Sequence, residues 1–280
     1  MRVRLATLGA LLVLAATAVL ASGCGATLDP VAQAATRTSD VSTLRFVMHM
    51  NMSVPGLAEN LSLVADGAVD SKANRLELSM DLSRMAALAG QPGALGRVTI
   101  VEDGLVMYMN ADAFLRVLPG GKSWVRLDLP HAASKMGLDL SSLTGGQSDP
   151  RTTLAQLRGA GNVIRVGQQT IKRVATTRYN VLLDLNKGLD RLEGSERDAM
   201  KQILGKLEAA GSRYVPADAW IDADGYLRRF RVAIPNYLGT GSSFALTMDL
   251  FDFGANLSIP IPSAAEVMDL TGAVPGVPGG

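Results

Sequence analysis

Cys24 is the only cysteine in the chain. Its sulfur is the strongest nucleophile the sequence offers, and it sits in a specialised context. Arg2 and Arg4 form a positive head, Leu5 to Ala21 is apolar except for Thr7, Gly9 and Thr17, and Ala21-Ser22-Gly23 are small. That order is the layout of a secretory signal peptide. The apolar run is short for a membrane-spanning helix, and no stop-transfer charges follow it. A lone thiol in an exported chain has no partner for a bridge, so it needs another use, and the fold cannot depend on disulfides.

Other groups capable of chemistry are sparse. The two histidines, His49 and His131, have no neighbours at metal-ligand or triad spacing. His49 falls on the polar face of an alternating segment and His131 follows Pro130, which places both at a surface or rim. There is no G-x-S-x-G elbow. Asp222-Ala-Asp224-Gly225 starts like a calcium loop but lacks the later ligands and the closing Glu, so it reads as a turn. Arg228, Arg229 and Arg231 put positive charge near that turn, where they would meet either solvent or lipid headgroups. These residues give enzymatic chemistry little support; an envelope hydrolase would need a Ser, a His and a carboxylate brought together by the fold.

Leu20-Ala21-Ser22-Gly23-Cys24 resembles a bacterial lipobox. The resemblance implies acylation of the Cys24 thiol, cleavage before it, and loss of the signal peptide at 1–23. Two or more acyl chains hold a protein stably on a membrane, since each buried methylene contributes about 0.8 kcal/mol. Residues 24–30 then form a short lipidated tether to the body of the protein.

That body is built largely of alternating segments. Leu44, Phe46, Met48, Met50, Met52 and Val54 alternate with mostly polar residues, as do Leu61–Val69 and Leu76–Leu82. Three long neighbouring strands with short turns predict an antiparallel meander. Asp103-Gly104 predicts a hairpin between Arg97–Glu102 and Leu105–Asn110. Further strands are expected at 124–129, 162–167, 174–185, 220–222, 226–234 and 242–253. Helices are expected at 31–37, 84–89, 111–117, 149–158 and 195–210. The stretch from 131 to 148 reads as loop. The Pro- and Gly-rich residues 259–280 read as an irregular tail. The body would then be one domain over 31–258.

Apolar residues make up 48% of the chain but aromatics only 5%, so the interior must be aliphatic and Met-rich. A formal net charge of +1 argues against a nucleic-acid partner. Met is flexible and polarisable, so Met-lined walls suit ligands of variable shape. The apolar candidates for such a wall are Phe46, Met48, Met50, Met52, Leu61, Leu63, Leu78, Met80, Met107, Tyr108, Met109 and Trp124. The alternative is that they simply pack a filled core.

The ordered pieces Leu44–Val54, Trp124–Asp128, Asp149-Pro150, Val166–Ile171, Thr177–Val181, Trp220–Asp222 and Asp224–Arg229 resemble the LppX/LprG type of actinobacterial lipoprotein, with its LolA-like fold. The resemblance implies an α+β fold: a large antiparallel sheet curled into a half-open β-barrel, with inserted helices covering an apolar cavity. It implies a non-enzymatic protein that needs no cofactor, on the extracytoplasmic face of the cell membrane, binding lipid or glycolipid acyl chains and carrying them across the envelope. Its partners would be that ligand, the membrane, and an envelope transporter or acceptor protein. The alternative is an envelope protein–protein interaction module with a filled interior.

Overall fold

The computed structural model describes residues 29–56, 60–88, 90–94, 96–114, 118–136, 163–184, 197, 201, 204–205, 214–236 and 240–271. Cys24, the signal segment and the helix expected at 149–158 lie outside these residues. Of the helix expected at 195–210, Arg197, Lys201, Leu204 and Gly205 are described and helical.

Helix α1 (Pro30–Ser39) opens the described chain. The Asp29 carboxylate accepts hydrogen bonds from the N–H groups of Val31 (2.8 Å) and Ala32 (3.4 Å), and Pro30 fits the first turn, where no N–H is needed. The strands follow: β1 (Thr43–Ser53), β2 (Leu61–Asp70), β3 (Arg75–Asp81), β4 (Arg97–Asp103), β5 (Val106–Ala111), β6 (Trp124–Asp128), β7 (Val163–Ile171), β8 (Val174–Asp184), β9 (Tyr214–Asp222), β10 (Leu227–Pro235), β11 (Ser243–Phe251) and β12 (Val267–Asp269). Between strands stand the short α-helices α2 (Ser83–Leu88) and α3 (Leu129–Met136), the latter where the sequence reads as loop.

All twelve strands join one sheet in the order β12-β6-β5-β4-β3-β2-β1-β11-β10-β9-β8-β7. Every pairing is antiparallel except β12 with β6. The expectation of a half-open barrel is corrected here. The sheet is open and not curled into a barrel, and its end strands, β7 and β12, do not pair with each other. Closure requires matched edges at a fixed stagger; one edge here is nine residues long and the other three. Among the described residues, the expectation of a cavity beneath a covering helix is corrected for α1. Beneath α1 lies packed side chain, with Val31, Ala34 and Ala35 in one cluster with Leu44, Phe46, Leu227, Phe230, Met248 and Leu250. Each large side chain so buried contributes about 1.5–3 kcal/mol.

The residues from Ile259 onward, expected to be irregular, supply β12. Lys122 Nζ donates to the Val267 carbonyl (2.7 Å), Arg126 Nη1 to Asp269 (2.8 Å), and the Asp128 N–H to the Thr271 hydroxyl (3.0 Å). The Thr271 hydroxyl and N–H, helped by Arg126, hold the Asp269 carboxyl below the usual carboxylate range.

One polar bond fixes α1 to the sheet. The Leu227 N–H donates to Thr38 Oγ1 at 2.9 Å, with both residues fully buried. Thr38→Ala would orphan that donor, and a buried donor without a partner costs about 1–3 kcal/mol. Thermal unfolding of the variant is expected to show that loss, whereas Thr36→Ala, on the exposed side of α1, should be close to silent.

Candidate functional site

Period-two alternation gives the sheet two unlike faces, and the register assigns each residue to one of them. On the apolar face, Met48 stands between Met248 and Ala65, Met50 between Leu246 and Leu63, and Met52 between Phe244 and Leu61. The next strand continues these rows, with Val232 opposite Leu246 and Ile234 opposite Phe244. Burial falls along β1. Leu44 and Phe46 are 1% and 0% exposed, while Met48, Met50 and Met52 are only half-buried. The cluster containing α1 therefore covers one end of the face.

Next to it lie two rows across β10, β11, β1 and β2: Val232, Leu246, Met50 and Leu63, then Ile234, Phe244, Met52 and Leu61, with Val232 and Ile234 packed against the cluster. All eight are half-buried. None carries a titratable group, so what they offer a ligand is dispersion and removal of hydrocarbon from water. Three surface concavities lined by described residues lie elsewhere. The largest, about 710 Å³, runs along the outer side of α1.

The twelve wall candidates divide by register. Phe46, Met48, Met50, Met52, Leu61, Leu63, Leu78 and Met80 are neighbours on the apolar face, with Phe46 and Leu78 buried. Met107 and Met109 share that face but lie on β5, four strands from β1, or about 19 Å at the usual strand spacing. Tyr108 and Trp124 stand on the opposite, polar face, opposite Arg126 and Asn110 respectively. Phe244, Leu246, Val232 and Ile234 were not among the candidates. Their alternation marks strands, but it does not reveal that β11 and β10 lie beside β1.

The polar face is held by paired charges. Asp218 accepts from Arg178 (2.9 Å) and from the Asn180 amide, and Arg229 makes a two-point pair with Asp249 (2.5 and 2.8 Å). The hydrogen bond to Asp249, opposed by desolvation, raises the Arg229 guanidinium above its ordinary value. Arg178 and Arg229 both lie over the Trp220 ring, at 5.3 and 5.9 Å, and the indole N–H donates to Gln169 (2.7 Å). Trp220 is thereby 5% exposed although it faces away from the core. Arg228 is bound to Asp222 (2.6 Å) and stacks on Phe253 (4.7 Å). Of the three arginines near this turn, two are engaged in ion pairs. Residues 222–225 do form a turn, closed by the Gly225 N–H to the Asp222 carbonyl at 3.1 Å.

His49 is exposed on the polar face across from Thr247, and His131 is exposed on α3. Among the described residues, no group of three or more His, Cys, Asp or Glu is placed to hold a metal ion. Among them also, no helix is long and apolar enough to cross a membrane.

No family model matches the chain. An uncharacterized 31.2 kDa protein from the rplA-rplJ intergenic region of Streptomyces griseus is 25% identical over 227 residues, covering 77% of this chain and 73% of that protein. Among solved structures, the Mycobacterium tuberculosis lipoprotein LppX is similar over 85% of this chain and 100% of its own, at 14% identity and a TM-score of 0.47. LprF from Mycobacterium bovis is similar over 84% and 96%, at 15% identity and the same TM-score. A LolA superfamily protein from Nitrosomonas europaea is similar over 82% and 93%, at 9% identity and a TM-score of 0.27.

Proposed function

We propose that the mature protein is an envelope lipoprotein, tethered through acylated Cys24, that takes acyl chains of a lipid or glycolipid against the apolar face of its sheet and passes them to an envelope partner. The observation that carries this reading is the pair of half-buried apolar rows next to the end of the face that α1 covers. Eight aliphatic, Met and Phe side chains on four adjacent strands form a surface that a hydrocarbon chain can cover. Each methylene it buries contributes about 0.8 kcal/mol. Met50 and Met52 line the middle of this surface, where their flexible thioethers adapt to chains of different length and branching. Carriage needs no bond chemistry, so release depends only on competition from another apolar surface.

Native mass spectrometry and organic extraction test this on a soluble form beginning after Cys24, expressed with an export signal. A stoichiometric lipid is expected. Met50→Trp, which fills the row between Leu246 and Leu63, is expected to reduce lipid occupancy by about tenfold while leaving the fold intact by circular dichroism. A clean lipid-free mass from several preparations would sink the proposal and favour a protein-docking role.

A further inference from the structure

The two ends of the sheet are unlike. β12 is three residues long and tied down by side chains of β6 and its approach. β7 is nine residues long and is the last strand in the order, with no strand on its outer side among the described residues. Within β7 only Ile171 is buried and only Val163 and Gly167 are half-buried; the other six residues are exposed. Ile164 is 59% and Val166 50% exposed. Half of the exposed large apolar residues of the described chain cluster at this corner: Ile164, Val166, Leu182 and Tyr214, out of eight. Next to the edge, Ile164, Leu182, Pro216 and Ala233 line a concavity of about 390 Å³ whose far side carries Asp218 and Arg231, opposite each other on β9 and β10.

An edge of this length that bears apolar side chains is a template for a further strand. Its charge decides which strand. From Val163 to Arg173 the chain carries Arg165, Lys172 and Arg173 and no acidic residue. Lys172 lies over the Phe251 ring, and Arg165 and Arg173 make no ion pair with another described residue. Two copies pairing edge to edge would bring their cations together with no acid between them, which disfavours a second copy. The register shift between Arg165 and Gly167 bends the strand, so an added chain pairs on one side of it.

We infer that β7 is a docking edge for an extended acidic segment of another protein, which adds to the sheet as an outer strand. Its backbone pairs with β7, an aliphatic side chain enters the concavity at Ile164 and Leu182, and its carboxylates, on the alternate face, meet Arg165 and, past the end of β7, Arg173. This mode takes affinity from the main chain and specificity from alternate side chains. It stands apart from the lipid reading, because the edge is not part of the two half-buried rows.

The full-length protein is titrated with three synthetic nine-residue peptides that alternate valine with glutamate, glutamine or lysine. Fluorescence anisotropy is read at low and high salt, and amide hydrogen exchange is followed along β7. The glutamate peptide is expected to bind about tenfold more tightly than the lysine peptide, to weaken with salt, and to slow exchange within 163–171. The double variant Arg165→Glu, Arg173→Glu changes two exposed side chains and should reverse the preference with an unchanged circular dichroism spectrum. Equal binding of the three peptides, binding of none, or protection confined to other strands would overturn the inference. A concentration-dependent dimer abolished by Ile164→Ser would overturn it in favour of a second copy.

Discussion

Cys24→Ser is expected to leave the N-terminal peptide unacylated, and a form beginning after Cys24, exported behind an ordinary cleavable signal, is expected entirely in the soluble fraction. The expectation rests on chemistry at one atom. Acylation of the lipobox-like site uses the thiol as acceptor, and a serine hydroxyl is a far weaker nucleophile at neutral pH. Without acyl chains, nothing described in the mature body substitutes for them, since no described helix is long and apolar enough to span a bilayer. The loss is large because anchoring is cumulative: one acyl chain binds marginally, and two or more bind stably, at about 0.8 kcal/mol per methylene. Detergent phase partitioning and the mass of the N-terminal peptide check the result. If the unsubstituted protein carries Leu5–Ala21 still attached and no acyl mass at Cys24, the segment is an uncleaved anchor and the tether reading is wrong. Lipid occupancy of the body is a separate readout, so failure of the tether and failure of the carrier reading can be told apart.

Much of the sheet is legible in the sequence because alternation is a local signal. Leu44–Val54, Leu61–Val69 and Leu76–Leu82 each show it, and the structure has β1, β2 and β3 there. Asp103-Gly104 marks the β4–β5 hairpin for a similar reason, a glycine at φ 63° that the turn requires. What joins distant strands is not local. The first long strand lies beside the last one, with Met50 opposite Leu246, and no property of either segment alone specifies that neighbour. The half-buried rows depend on this pairing, which is why half of them, on β10 and β11, went unnamed. The face of Tyr108 is legible locally. Met107 and Met109 flank it, so period two already places it on the other face. The face of Trp124 is not, because only its pairing with Asn110 sets it. The barrel was an inference from resemblance, and closure is a property of edges, which alternation does not describe.

The largest loss of stability from a single added methyl is expected at Gly67. In register, Gly67 lies between Phe46 on β1 and Leu78 on β3. A Cβ there would stand 2.2 Å from the Glu77 carbonyl oxygen and 2.6 Å from Phe46 Cζ. Neither obstacle yields easily. The carbonyl belongs to the backbone of β3, and the ring is 0% exposed within the cluster capped by α1. Overpacking of this kind costs about 1–3 kcal/mol or more. Gly67→Ala should therefore lower the midpoint of thermal unfolding by about 5–10 °C. Phe46→Leu frees the ring's space but leaves the carbonyl where it is, so the double variant should regain part of the loss and not all of it. Strict additivity would show that the ring is not the obstacle, and an unchanged midpoint for Gly67→Ala would refute the close approach altogether. The position matters to function because the missing side chain lets the Phe46 ring lie across β2. It closes the packed end of the apolar face one row before Met48 and two rows before Met50 and Leu63. On the proposed reading, hydrocarbon on the half-buried rows would stop short of a fixed aromatic boundary, and a glycine on the neighbouring strand is what leaves room for that ring.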